Sequence, residues 1–102
     1  MVVYEVNLTL EDAIIGEFRQ WLGLHMKDML GFKGFRRALL MEVDRAETHC
    51  LTVWYFVESV NDLNDYFKHG ADRMRQEGLA RFGGQFRAER RILNLLDELA
   101  AD

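Results

Sequence analysis

The chain has 102 residues, of which 49% are hydrophobic and 29% charged, and carries a net charge of −4. That length fits one domain with a modest core. The acidic balance argues against a nucleic-acid partner, because phosphate binding needs a basic footprint, and Glu89 interrupts the arginines between Arg81 and Arg91. No apolar run approaches the ~20 residues of a membrane span, and no basic segment followed by an apolar stretch opens the chain. Cys50 is the only cysteine and so has no intrachain disulfide partner. The expectation is a cytoplasmic protein with no membrane contact.

Residues 2–10, VVYEVNLTL, alternate and predict a strand. Val2, Tyr4, Val6, Leu8 and Leu10 share one face; Val3, Glu5, Asn7 and Thr9 share the other. Thr9 and Asp12 resemble a capping box, and a helix is expected over about 11–30, with Ile14, Phe18, Trp21, Leu22, Met26 and Met29 as its apolar stripe. A loop with two glycines, Gly31 and Gly34, leads to a second strand over 35–43, a polar turn over 44–48 and a third strand over 49–58. The third strand is apolar on both faces, with Leu51, Val53, Tyr55 and Val57 on one and Trp54 and Phe56 on the other. Ser59 and Asp62 start a second helix with Val60, Leu63, Tyr66, Phe67, Ala71 and Met74 inward and a break at His69-Gly70. Gly78 and Gly83-Gly84 are stop and turn signals before a fourth strand over 85–93, and residues 94–102 form a C-terminal arm or short helix.

Strand, helix, strand, strand, helix, strand is the ferredoxin-like α+β pattern. It predicts one domain over 1–102, a four-stranded antiparallel sheet with both helices on one face. Trp54 and Phe56 fall on the face the helices leave open, where a large aromatic pair is too apolar for water. A second copy of the chain is the simplest cover, which predicts a homodimer.

The start Val3-Tyr4-Glu5-Val6-Asn7-Leu8, the loop Gly31-Phe32-Lys33-Gly34-Phe35 and the stretch Ala80-Arg81-Phe82-Gly83-Gly84-Gln85-Phe86-Arg87-Ala88 with Arg90-Arg91 resemble an uncharacterised bacterial family. That family belongs to the dimeric α/β-barrel superfamily, with the antibiotic-biosynthesis and haem-degrading monooxygenases. The resemblance implies the fold and a dimeric barrel, and no particular activity. Haem-degrading members carry an asparagine on the first strand, a tryptophan on the third and a histidine on the second helix; this chain has Asn7, Trp54 and His69. Its spacing departs from theirs: Val6 falls on the asparagine and Asn64 on the histidine, so haem degradation is the lesser reading.

The face away from the helices gathers Glu5 and Asn7 from the first strand and Thr52, Trp54, Phe56 and Glu58 from the third. The fourth strand adds Arg87, Glu89 and Arg91, or Phe86, Ala88 and Arg90 if a one-residue bulge sits near Gly83-Gly84. The pocket candidates are therefore Glu5, Asn7, Trp54, Phe56 and Arg87, with His69 at a rim. Arg87 would neutralise Glu5, and Glu5 would serve as a base. The plainer alternative is a Glu5–Arg87 cross-strand pair contributing ~0.2–1 kcal/mol, with Trp54 filling a dimer interface. His25 lies beside the apolar stripe as a core histidine, and His49 stands exposed near a turn. No nucleophile–base spacing, metal-ligand pair or phosphate loop is present, so neither metal nor cofactor is expected. Two functions follow: a small-molecule-binding dimer, as an oxygenase or isomerase working without a cofactor, or a non-enzymatic interaction protein with a packed barrel. A hollow interior separates them.

Overall fold

The computed structural model describes all 102 residues. Its elements are β1 (Val2–Leu10), α1 (Ile15–Met29), β2 (Phe35–Glu42), β3 (His49–Val57), α2 (Val60–His69), α3 (Ala71–Phe82) and β4 (Phe86–Asn94). The sheet is antiparallel in the order β2-β3-β1-β4, and β1 and β3 hold its centre. This is the expected ferredoxin-like α+β fold.

Local chemistry explains most boundaries. Ser59 accepts from the Asp62 amide at 3.1 Å and caps α2. The second helix breaks at Gly70, where the break at His69-Gly70 is expected, into α2 and α3, and a Cβ on Gly70 would run into the Phe32 ring. Gly34 needs its freedom for another reason: its φ of +84° is a region L side chains avoid. The capping box expected at Thr9 does not form. A 3₁₀ turn over Asp12–Ile14 precedes α1, neither start has a side-chain cap, and Thr9 Oγ1 lies 3.9 Å from Cys50 Sγ instead. Residues 95–102 run on as an irregular arm rather than a helix, with Leu96 and Leu99 in solvent.

One face of the sheet builds the core. Tyr4, Leu8, Leu10, Leu51, Val53 and Tyr55 pack against Phe18 and Leu22 of α1, Leu63 and Tyr66 of α2, and Met74 and Phe82 of α3. Burying a side chain such as Phe18 completely stabilises the fold by ~1.5–3 kcal/mol. The molecule measures 39 × 37 × 19 Å. Its thin dimension is one sheet plus one helix layer at ~10 Å per layer, so the second sheet face has no covering element within the chain.

Register on that open face corrects one expectation. β4 pairs with β1 without a bulge and places Arg87 opposite Thr9, Glu89 opposite Asn7 and Arg91 opposite Glu5. Arg87 does share a face with Glu5, but two pairs further along the strand. Alternation fixes the face of a residue, whereas the neighbour across the strand depends on register.

Candidate functional site

On the open face, Glu5 lies at the centre of a hydrogen-bonded cluster and is only 4% exposed. Its carboxylate accepts from Trp54 Nε1 at 2.8 Å, from Asn7 Nδ2 at 2.9 Å and from Arg91 Nε. Asn7 Oδ1 in turn accepts from Thr52 Oγ1 at 2.8 Å. The Arg91 contact is the largest influence on Glu5; burial opposes it, Trp54 and Asn7 add to it, and the carboxyl is held down at about 2. Glu5 is therefore a fixed anion and a poor base near neutral pH. Phe56 packs edge-on to Trp54 with ring centres 6.3 Å apart, and the Arg37 guanidinium sits 4.1 Å over its ring. Of the six sequence-predicted site residues, the structure brings Glu5, Asn7, Trp54 and Phe56 together. It leaves out Arg87, whose partnering place Arg91 takes. His69 is the exposed last residue of α2, in the helix layer and across the sheet from Asn7 and Trp54. A haem does not fit these three residues, because no single compartment holds them. No trio of His, Cys, Asp or Glu side chains converges to hold a metal.

The most enclosed cavity of the molecule is on the other side of the sheet. A space of about 50 Å³ lies between the sheet and α1 and α3. Apolar side chains form most of its wall, and its polar lining comes from Tyr4, His25, Tyr55, Tyr66, Arg75 and Arg90. α1 supplies Trp21 and His25 one turn apart, with their rings stacked at 4.6 Å. α3 supplies Arg75, whose Nη2 donates to the Tyr4 hydroxyl at 3.2 Å. Gly78 stands one turn further on, where a Cβ would come within 3.0 Å of Trp21. β4 supplies Phe86 and Arg90 from its helix-facing side.

Two polar atoms of this lining, His25 Nδ1 and Arg75 Nε, are buried without a hydrogen-bond partner. Such orphans are rare and call for an explanation. Burial lowers the His25 pKa and Arg90 adds to that, against the opposing fields of Glu77 and Asp28. The imidazole is thus kept in its neutral form. Burial likewise raises Tyr66 to about 12, and raises Tyr55 further, so both phenols stay protonated. The arrangement offers a neutral base, hydroxyl groups and cations around an apolar space.

Sequence reasoning missed this site because its tyrosines read as core and α3 lies beyond a helix break. One signal was available: Arg90 shares its alternation with Phe86, Ala88 and Ile92, an arginine on an otherwise apolar strand face.

The fold defines the class. The structure resembles that of a Deinococcus radiodurans protein described as a candidate antibiotic biosynthesis monooxygenase, with a TM-score of 0.78 at 11% identity over 100% of this chain and 99% of that one. SnoaB from Streptomyces nogalater, a cofactor-independent oxygenase, gives 0.75 at 13% identity over 98% and 97%. Rv0793 from Mycobacterium tuberculosis gives 0.71 at 16% identity over 98% and 100%. At such identities the likeness shows the fold alone, the ferredoxin-like α+β arrangement. Residues 1–96 match the model of the domain of unknown function DUF4286, and the chain belongs to that family. No curated protein matches the sequence. No helix is long and apolar enough to cross a membrane.

Proposed function

We propose that this protein binds a small organic molecule in the space between the sheet and α1/α3, and that it works as a homodimer closed through the open sheet face. The observation that carries the first part is the pair of buried, unpartnered polar atoms on the same cavity wall. A ligand or ordered water would satisfy both, which a packed interaction protein would not need. The space of 50 Å³ holds about three to five waters at ~10–15 Å³ each. It fits the head of a ligand, and the body must lie outside.

The chemistry best matched to the lining is proton removal from an activated carbon by neutral His25. Returned to a neighbouring carbon, the proton gives an isomer. In the oxygenase alternative, the carbanion reduces dioxygen to a bound hydroperoxide, which loses water: a CH₂ group and O₂ become a carbonyl and H₂O. SnoaB's description as a cofactor-independent oxygenase supports this second course. Glu5, Asn7, Trp54 and Phe56 then belong to the dimer seam. Four strands at ~4.8 Å spacing and nine residues at ~3.3 Å present roughly 600 Å² of flat sheet. With side-chain relief this approaches the ~800 Å² per partner of a stable interface.

Gly78→Leu is the test of the pocket. It fills the cavity beside Trp21 while leaving the open face untouched, so thermal stabilisation by aromatic compounds that carry a small polar head group should disappear. Retained stabilisation in a folded Gly78→Leu protein would move the site elsewhere. Light scattering should give twice the chain mass of 12.0 kDa.

A further inference from the structure

The cavity does not end at its mouth. An open groove of about 260 Å³ adjoins it, and Tyr4, Arg75 and Arg90 line both. Phe67 and Ile92 add apolar surface to the groove. Arg75 and Arg90 therefore stand where the two spaces meet.

Their charges are not neutralised by pairing. The ion pairs of the molecule are Arg36–Glu58, Arg45–Asp44, His49–Glu42 and Arg91–Glu5. Arg75 and Arg90 are absent from them. Asp72 is near enough to favour the Arg75 charge but is not within ion-pair distance. Arg75 Nε is buried and lacks an acceptor. In a chain of net charge −4, two guanidiniums without a carboxylate between a small cavity and an apolar groove are an anion site waiting for its counter-charge. Guanidinium forks match carboxylates in particular, through paired N–H···O bonds.

We propose, on the footing of the pocket reading above, that the ligand is an organic carboxylate whose acid group sits between Arg75 and Arg90 and whose apolar body lies in the groove over Phe67 and Ile92. The dimensions support this order. A cavity of 150 Å³ suffices for benzene, so 50 Å³ is too small for a ring but large enough for a carboxylate. The Tyr4 hydroxyl already accepts from Arg75, and its own proton remains free to donate to the acid.

The probes are 2-naphthoate and 2-naphthol, alike in shape and different in charge, with sodium acetate and inorganic phosphate as bodiless anions. Titration calorimetry on the full chain should show naphthoate binding about tenfold more tightly than naphthol, with acetate and phosphate far weaker than either. Arg90→Met, at an exposed position, should lower naphthoate affinity about tenfold and leave naphthol unchanged. Arg75→Met should do the same if it folds. Equal binding of naphthoate and naphthol, with no effect of Arg90→Met, would overturn the anion assignment and leave the pocket standing. Binding of phosphate as tight as naphthoate would overturn the role of the groove. No binding of any probe would overturn the pocket and this assignment together.

Discussion

Replacing Glu5 by Gln tests the open-face cluster without changing its size. The carboxylate accepts from three donors; the amide keeps one oxygen for Trp54 Nε1 and turns an N–H₂ group toward Asn7 Nδ2 and Arg91 Nε. A fall in pKa from 4.5 to about 2 corresponds to a ceiling of ~3 kcal/mol at 1.36 kcal/mol per unit. The Arg91 side chain is 68% exposed, and solvent screening reduces that ceiling to roughly 1–2 kcal/mol. The sign follows from linkage: a depressed folded pKa stabilises the protein above the unfolded value and loses that effect as pH falls through the folded one. Urea titrations at fixed protein concentration should therefore show Glu5→Gln less stable by ~1–2 kcal/mol at pH 7, with the gap closing between about pH 4.5 and pH 2. A gap that is absent at pH 7, or that stays constant into acid, would refute the reasoning.

Gly70→Ala should destabilise the fold by ~1–3 kcal/mol in the same assay, because its methyl meets Phe32, whose ring is itself wedged edge-on against Tyr66 at 4.9 Å. Ser59→Ala, which removes the one side-chain cap on a helix start, should cost ~1 kcal/mol with no change in the slope of the urea transition. The His25 imidazole should titrate by NMR with a midpoint below the ordinary ~6.5. Because its folded pKa is lowered, stability tied to neutral His25 is fully present above the unfolded value of ~6.5 and lost as pH falls through the folded one. A midpoint above 6.5 would mean that Glu77 and Asp28 outweigh burial.

The sheet was legible because its strands alternate cleanly. Tyr4, Val6 and Leu8 announce a core face, Glu5 and Asn7 an open one, and every β1 side chain lies where that pattern places it. The break at Gly70 and the Ser59 cap were equally plain, since each depends on residues adjacent in sequence. Register was not legible: a four-residue difference separates Arg87 from Arg91, and both satisfy the same alternation. The chemistry of the cavity was hidden for a related reason. Tyr4, His25, Arg75 and Arg90 come from four elements and meet only through packing, so no spacing along the chain announces them. Their polar groups sit on long or aromatic side chains whose stems count as core. The leucines of the C-terminal arm misled in the opposite direction, since Leu95, Leu96 and Leu99 have helical spacing but nothing in the chain to pack against.

The two tryptophans report on the two faces separately: Trp21 lines the cavity, and Trp54 donates to Glu5 on the open face. Each contributes one indole N–H signal to a ¹H–¹⁵N correlation spectrum, and Trp21→Phe assigns them. Titrated with 2-naphthoate, the Trp21 signal should move in proportion to occupancy while the Trp54 signal stays in place. Movement of Trp54 with Trp21 silent would put the ligand on the open sheet face and contradict the account.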